Sequence, residues 1–81
     1  MTRPEIKVLD LRGLKCPLPV LRARKQLHAM TNGQHLRVLT TDALAVIDIP
    51  HMCFEDGHRA GSPIATEDGH MFLITVGDGR D

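Results

Sequence analysis

The feature that most restricts the fold is a strand pattern, a helix pattern and a second strand pattern in succession. Residues 5–11 and residues 36–41 alternate in polarity, and this period of two predicts strands. Between them the spacing predicts a helix that begins at Pro17, ends before Asn32-Gly33 and buries one apolar stripe, formed by Val20, Ala23, Leu27 and Met30. Such a unit implies two parallel strands joined by a right-handed crossover.

The next segment carries a second helix pattern that contains a proline. Thr41-Asp42 is a helix-start signal, and apolar residues then recur at helical spacing as far as Gly57. Pro50 interrupts the pattern, because an interior proline removes a hydrogen bond and costs ~3 kcal/mol. Either the helix is kinked, or residues 43–47 form a separate turn and Asp48 caps the true helix. We predict the second arrangement.

The last third of the chain predicts a hairpin. Residues 57–63 read as a connector, and residues 63–67 and 70–76 read as strands on either side of the turn dipeptide Asp68-Gly69. Residues 77–81 are expected to fray. The predicted fold class is therefore α/β, more closely an α+β two-layer sandwich of order β-α-β-α-β-β. Two helices cover one face of a four-stranded mixed sheet.

Composition excludes several classes of function. The 81 residues suffice for one domain, and with two phenylalanines as the only aromatics the core must be aliphatic. Ten acidic and ten basic residues give zero net charge, so we expect no direct nucleic-acid binding. No secretory signal and no membrane-spanning run is visible, which predicts a cytoplasmic protein with reduced thiols.

The distinctive chemistry converges on Cys16. It follows the first strand and precedes Pro17, which suits the first helical position, so Cys16 is predicted to be the N-cap of the helix. The helix dipole and the cations Lys15 and Arg12 would then lower the pKa of its thiol below the free value of ~8.5. Asp10 is expected to face the strand end or cap the loop. The supporting residues of this motif are Arg12, Gly13, Leu14, Lys15, Pro17 and Pro19.

The run from Leu9 to Pro19 resembles the signature of the TusA/SirA-like sulfur carrier family, whose hallmark is Cys-Pro-x-Pro at the start of the first helix. The pairs Thr41-Asp42 and Gly57-His58, with Asp48-Ile49-Pro50 between them, resemble the family's second region. The resemblance covers residues 6–76, taken as the core of a single domain spanning 1–81. It implies the same β-α-β-α-β-β sandwich.

The resemblance also implies a function, in which Cys16 takes a sulfane sulfur as a persulfide and passes it on. A cysteine desulfurase or a rhodanese would donate the sulfur, and a further protein would accept it, in tRNA thiolation, cofactor synthesis or sulfur metabolism. Two positions depart from the family pattern. Leu18 stands where members that feed tRNA thiolation often carry Glu, and Ala43 stands where proline is frequent.

Other residues have weaker functional signals. Arg22, Arg24 and Lys25 form a basic helix face that could dock an acidic partner or could simply be solvated. Cys53 falls on an apolar stripe and is predicted to be buried. His51, Cys53 and His58 fall short of a closed zinc site, so no metal or other cofactor is expected. We expect a monomer that acts as a co-substrate of other enzymes, with little turnover alone.

A second interpretation belongs to a different class. An exposed thiol of low pKa also suits a redox sensor, so the chain could be a non-catalytic regulatory or interaction module with Cys16 as its switch. With no second cysteine beside Cys16, the dithiol chemistry of thioredoxin-like proteins is disfavoured.

Overall fold

The computed structural model describes residues 6–77, and these form two helices and five strands. The predicted strand residue Glu5 and the predicted fraying of residues 78–81 lie outside this range. In chain order the elements are β1 (Ile6–Asp10), α1 (Leu18–His28), β2 (His35–Thr40), α2 (Ala45–Asp56), β3 (Arg59–Ala60), β4 (Ile64–Ala65) and β5 (His70–Thr75).

The strands form one mixed sheet in the order β1-β2-β5-β3. Strands β1 and β2 are parallel, as the crossover predicts, and β5 is antiparallel to β2. The hairpin is also present, with Ile64 opposite Met71 and Ala65 opposite His70. The predicted two-layer fold class is confirmed.

One strand was missed. Arg59 and Ala60 pair with the same edge of β5 that β4 uses farther along, so the fourth sheet position is shared by two short strands. The segment Gly61-Ser62-Pro63 separates them. Two paired residues are too few to produce an alternating pattern, which is why this segment reads as a connector in the sequence.

Both helices pack on the same face of the sheet, and the core lies between the layers. Leu36 and Val38 of β2 and Phe72 and Ile74 of β5 are fully buried there. The predicted stripe of α1 faces them, with Ala23 and Leu27 buried and Val20 and Met30 half-buried. Helix α1 ends at His28, earlier than predicted, and Gly33 with φ +91° lies in the turn that follows.

Helix α2 runs continuously through Pro50, so the prediction that Asp48 caps a shorter helix is wrong. A turn at residues 43–44 precedes the helix, and Asp48 lies inside the helix, where its backbone N–H donates to the Leu44 carbonyl at 2.9 Å. Burial of a large apolar side chain contributes about 1.5–3 kcal/mol, so Ile49 and Met52 together offset the bond that Pro50 cannot make. Gly57, with φ +80°, ends the helix.

Neither helix within residues 6–77 is long and apolar enough to cross a bilayer.

Candidate functional site

Cys16 lies in the loop that connects β1 to α1, residues 11–17. The loop from β2 to α2, residues 41–44, runs beside it. Because β1 and β2 are parallel neighbours, both loops leave the same edge of the sheet and both lead into a helix on the same face. This edge, at the carboxyl ends of parallel strands, is where α/β folds place their ligand sites.

Two side chains of the second loop hold the first one in place. Thr41 Oγ1 accepts the N–H of Gly13 at 2.9 Å, and Asp42 Oδ2 accepts the N–H of Cys16 at 2.8 Å. Gly13 turns the chain with φ +86°, a conformation that favours glycine. We call Thr41 and Asp42 the loop clamp. It fixes the backbone at Cys16.

The Cys16 side chain is exposed, and its thiol donates a hydrogen bond to Asp48 Oδ2 at 3.6 Å. Asp48 stands in the first turn of α2. Partial removal from water, the hydrogen bond and charge of Asp48 and the charge of Asp42 all raise the pKa of the Cys16 thiol above its ordinary value. The expectation of a lowered pKa is therefore wrong, because carboxylates rather than cations surround the sulfur.

The predicted cap is displaced by one residue. Helix α1 begins at Leu18, its N-cap is Pro17, and no side chain caps it. The N–H of Leu18 binds the Lys15 carbonyl at 2.9 Å, and the Cys16–Pro17 peptide bond is cis. Cys16 therefore stands one position before the cap, and its sulfur is held by α2 instead of α1.

Arg12 does not act on the sulfur as predicted. Its guanidinium forms a two-pronged contact with Asp10, with Nε to Oδ1 at 2.9 Å and Nη2 to Oδ2 at 2.8 Å. Asp10 also accepts the backbone N–H of Arg12 at 3.1 Å, so its predicted role at the strand end is confirmed. These hydrogen bonds lower the pKa of Asp10 to about 2. Arg12 thus stabilises the loop entry.

The remaining motif residues anchor the loop by packing. Leu14 is half-buried against the core, and its N–H binds the Leu11 carbonyl at 3.2 Å. Pro19 is buried in the first turn of α1, whereas Lys15 and Pro17 are exposed on either side of Cys16. Leu14 and Pro19 therefore anchor the two ends of an exposed stretch, residues 15–18, that contains Cys16.

The three basic residues of α1 that were predicted to form one face have different environments. Arg24 is engaged in an interhelical ion pair, Nε to Asp56 Oδ2 at 2.7 Å, and its docking role is not supported. Arg22 and Lys25 are exposed and border a shallow groove between β1 and α1. The other residues that line this groove are Leu9, Leu18, Leu21, Gln26 and Ala29.

Cys53 is fully buried in α2, as predicted. Burial and the nearby charge of Asp56 raise the pKa of its thiol to about 11. Between residues 6 and 77 there is no cluster of three histidine, cysteine or carboxylate side chains that could hold a metal ion.

Asp42 and Asp48 contact Cys16 from 26 and 32 positions away, and neither was predicted to lie at the site. Both belong to segments that the sequence singles out, Thr41-Asp42 and Asp48-Ile49-Pro50, but these segments were interpreted as helix starts. The parallel pairing of β1 and β2 was the signal that could have placed them beside Cys16.

Comparison with known proteins gives consistent matches. Residues 7–76 match the family model described as sulfurtransferase TusA. The sulfur carrier protein TusA of Allochromatium vinosum is 48% identical over 68 residues, 84% of this chain and 87% of that protein. A Neisseria meningitidis serogroup A protein, named as a candidate sulfur carrier, is 50% identical over 70 residues, 86% of this chain and 92% of that protein.

The fold has a counterpart among solved structures. The crystal structure of a SirA-like protein from Desulfitobacterium hafniense superposes with a TM-score of 0.73 at 25% identity. The superposition covers 89% of this chain and 96% of that one.

Proposed function

This chain belongs to the sulfurtransferase TusA family, and we propose that it is a sulfur carrier that accepts a sulfane sulfur as a persulfide on Cys16 and passes it to a partner protein. The observation that carries the proposal is the contrast between its two cysteines. Cys16 is exposed on a clamped loop, whereas Cys53 is sealed in the core. One thiol is accessible to a partner's active site.

The loading step is a thiol exchange without net oxidation. The sulfur of Cys16 attacks the terminal sulfur of a persulfide on the donor protein, so a new Sγ–S bond forms while the donor's S–S bond breaks. The donor cysteine leaves as a thiolate and takes up the proton that Cys16 gives up. Delivery repeats this exchange, with Cys16 as the leaving group.

A carrier must keep its sulfur until the acceptor arrives. A second accessible thiol in the same chain would attack the persulfide and release the sulfur. The chain has two cysteines in all, and Cys53 is fully buried with a pKa raised to about 11. A buried thiol that resists ionisation is a poor attacking group. Cys53 is therefore not expected to attack a persulfide on Cys16 and release its sulfur.

The partners follow from this chemistry. The donor is a cysteine desulfurase or a rhodanese, both of which form persulfides, and the acceptor is a further cysteine protein of a sulfur relay. We place the exchange in the cytoplasm, where thiols stay reduced, and treat the carrier as a monomer that docks with each partner in turn.

The groove between β1 and α1 indicates what kind of partner surface could bind there. Leu18 and Leu21 are 44% and 52% exposed on the helix that begins two residues after Cys16, and Arg22 and Lys25 border the same groove. An apolar patch rimmed by carboxylates on the partner would complement it, since charge complementarity raises the encounter rate and fixes orientation.

Charge reversal tests the docking surface. In the double variant Arg22→Glu/Lys25→Glu, the rate of loading by a desulfurase at low salt should be about tenfold lower than that of wild type. Added salt should reduce this difference in rate between the variant and wild type. Arg37→Glu is the matched control, because Arg37 is exposed on β2 between two residues that are buried under the helices. Equal slowing in both variants would contradict a specific role of this groove.

The function itself is tested by loading with radiolabelled cysteine and a cysteine desulfurase. Wild-type protein should acquire label that a reductant removes, Cys16→Ser should acquire none, and Cys53→Ala should label like wild type. Labelled protein should then transfer its label to a candidate acceptor. A Cys16→Ser protein that accepts as much sulfur as wild type would refute the proposal.

The structure disfavours the redox-switch alternative. Sensor thiols react with oxidants as thiolates, so they need a lowered pKa. Here partial removal from water, together with the carboxylates of Asp48 and Asp42, raises the pKa of Cys16 instead. A raised thiol pKa is compatible with a carrier, because the intrinsic nucleophilicity of a thiolate increases with its pKa. The thiol needs to be deprotonated only in the complex with the donor protein.

A further inference from the structure

The contact between Cys16 and Asp48 distinguishes the two states of a sulfur carrier. In the described structure the Cys16 thiol donates its proton toward Asp48 Oδ2 at 3.6 Å. The charge of Asp42 also acts on the thiol, but its carboxylate accepts the Cys16 backbone N–H, and Lys15 is the exposed residue that precedes Cys16 in the chain. Asp48 is therefore the carboxylate that contacts the sulfur atom of Cys16 directly.

Sulfur loading removes the donor of this hydrogen bond. In a persulfide Sγ is bonded to Cβ and to the terminal sulfur, so it carries no hydrogen. A persulfide is also a stronger acid than the thiol from which it forms, so the terminal sulfur is anionic near neutral pH. The Asp48 carboxylate then faces a negative charge and repels it.

We propose that Asp48 is a positioning residue that responds to the loading state of Cys16. It holds the empty thiol by a hydrogen bond, and it releases the side chain when sulfur is added, so that the terminal sulfur turns away from α2 toward solvent and the acceptor. The inference rests on the proposed function, since it presupposes a persulfide on Cys16.

The same contact affects the empty carrier. Alkylation, oxidation and disulfide exchange all proceed through the thiolate, and the neighbouring carboxylates disfavour that form. The unloaded protein is thereby kept as a thiol with little side reactivity. Once the contact is lost, nothing on α2 holds the sulfur back from the acceptor.

The first test uses reduced, unloaded protein and so needs no sulfur donor. The rate of alkylation of Cys16 by iodoacetamide is measured against pH at low salt for Asp48→Asn and Asp48→Glu. In Asp48→Asn the profile should move to lower pH and the rate at pH ~7 should rise several-fold, since thiolate fraction sets the rate. Asp48→Glu retains the charge and should stay close to wild type.

Glu67→Gln is the matched control, because Glu67 is an exposed carboxylate on the turn before β5. Its profile should superimpose on that of wild type. An Asp48→Asn profile that also superimposes on wild type, in protein shown to be folded by circular dichroism, would overturn the inference whatever the outcome of sulfur loading.

The second test follows Asp48 directly. The carbon-13 resonance of its carboxyl group should shift when the protein is loaded and return after reduction, while that of Asp56 should stay in place. Normal loading with an unmoved Asp48 resonance would contradict the inference alone. Failure to load at all would refute the proposed function and with it the load dependence, while the alkylation profiles would still decide the contact.

Discussion

The clamp residue Asp42 yields the prediction that is most closely tied to the geometry of the loop. Asp42→Ala removes the acceptor of two backbone N–H groups, that of Cys16 at 2.8 Å and that of Leu44 at 3.4 Å. A hydrogen bond to a charged group contributes about 1.5–3 kcal/mol. Asp42 is half-buried and the Leu44 bond is long, so we expect a loss of about 1–2 kcal/mol.

This loss is large enough to measure. In a domain of this size 1 kcal/mol shifts Tm by about 4–8 °C, so Asp42→Ala should unfold about 5–15 °C below wild type. Thermal and urea unfolding followed by circular dichroism measure it. At temperatures where the variant is still folded, its rate of sulfur loading should also be several-fold lower than that of wild type. The reason is that the loop that presents Cys16 is no longer fixed.

Two variants control this experiment. Asp42→Asn keeps a side-chain oxygen as acceptor and should lose about half as much stability, since a neutral bond is worth roughly half of a charged one. Glu67→Ala removes an exposed carboxylate that is not part of the clamp and should change Tm little. An Asp42→Ala protein that melts at the wild-type temperature and loads sulfur normally would refute the view that the clamp positions Cys16.

Three further predictions concern the body of the fold. Thr40 is buried, and its hydroxyl has no hydrogen-bond partner among residues 6–77, so Thr40→Val should stabilise the protein by ~1 kcal/mol in urea unfolding; destabilisation would reveal a partner. In native protein a disulfide reagent at pH ~8 should titrate Cys16 and spare Cys53, and denaturant should expose both; two native thiols would contradict the burial of Cys53. The hydrogen bond from Arg24 lowers the pKa of Asp56 below its ordinary value of 3.8. The pair therefore stabilises the fold above the unfolded-state pKa of Asp56, and this stabilisation is lost as the pH falls through the folded-state pKa. In Asp56→Asn the free energy of unfolding should depend less on pH in this acidic range, and an unchanged pH dependence would argue against the pair.

Much of the fold could be predicted because local patterns and tertiary packing agree. The spacing of Val20, Ala23 and Leu27 places one face of α1 on the sheet, and that face is where the core lies. The start of α2 could not be predicted from Pro50 alone. The cost of an interior proline is a local quantity, whereas the burial of Ile49 and Met52 that offsets it depends on the sheet beneath.

The candidate site was located by its sequence motif, but its electrostatics were not. Lys15 and Arg12 lie next to Cys16 in the chain and suggested a cationic site. In the folded protein Arg12 is paired with Asp10, and the charged group that contacts the sulfur is Asp48, 32 positions away. Neighbours in sequence singled out Cys16 as the candidate residue. The sign of the electrostatic field at the sulfur depended on a contact between the loop of Cys16 and the first turn of α2.

Cys16 is the residue proposed to bear the transferred sulfur, and peptide mapping after loading tests this most directly. Trypsin cleaves after Lys15 and Arg22, so one peptide contains Cys16 and no other cysteine, while Cys53 serves as an internal control in another. After incubation with a cysteine desulfurase and cysteine, and blocking of thiols before digestion, the Cys16 peptide should carry one additional sulfur atom and the Cys53 peptide none. Added sulfur on Cys53, or none on Cys16, would contradict the account.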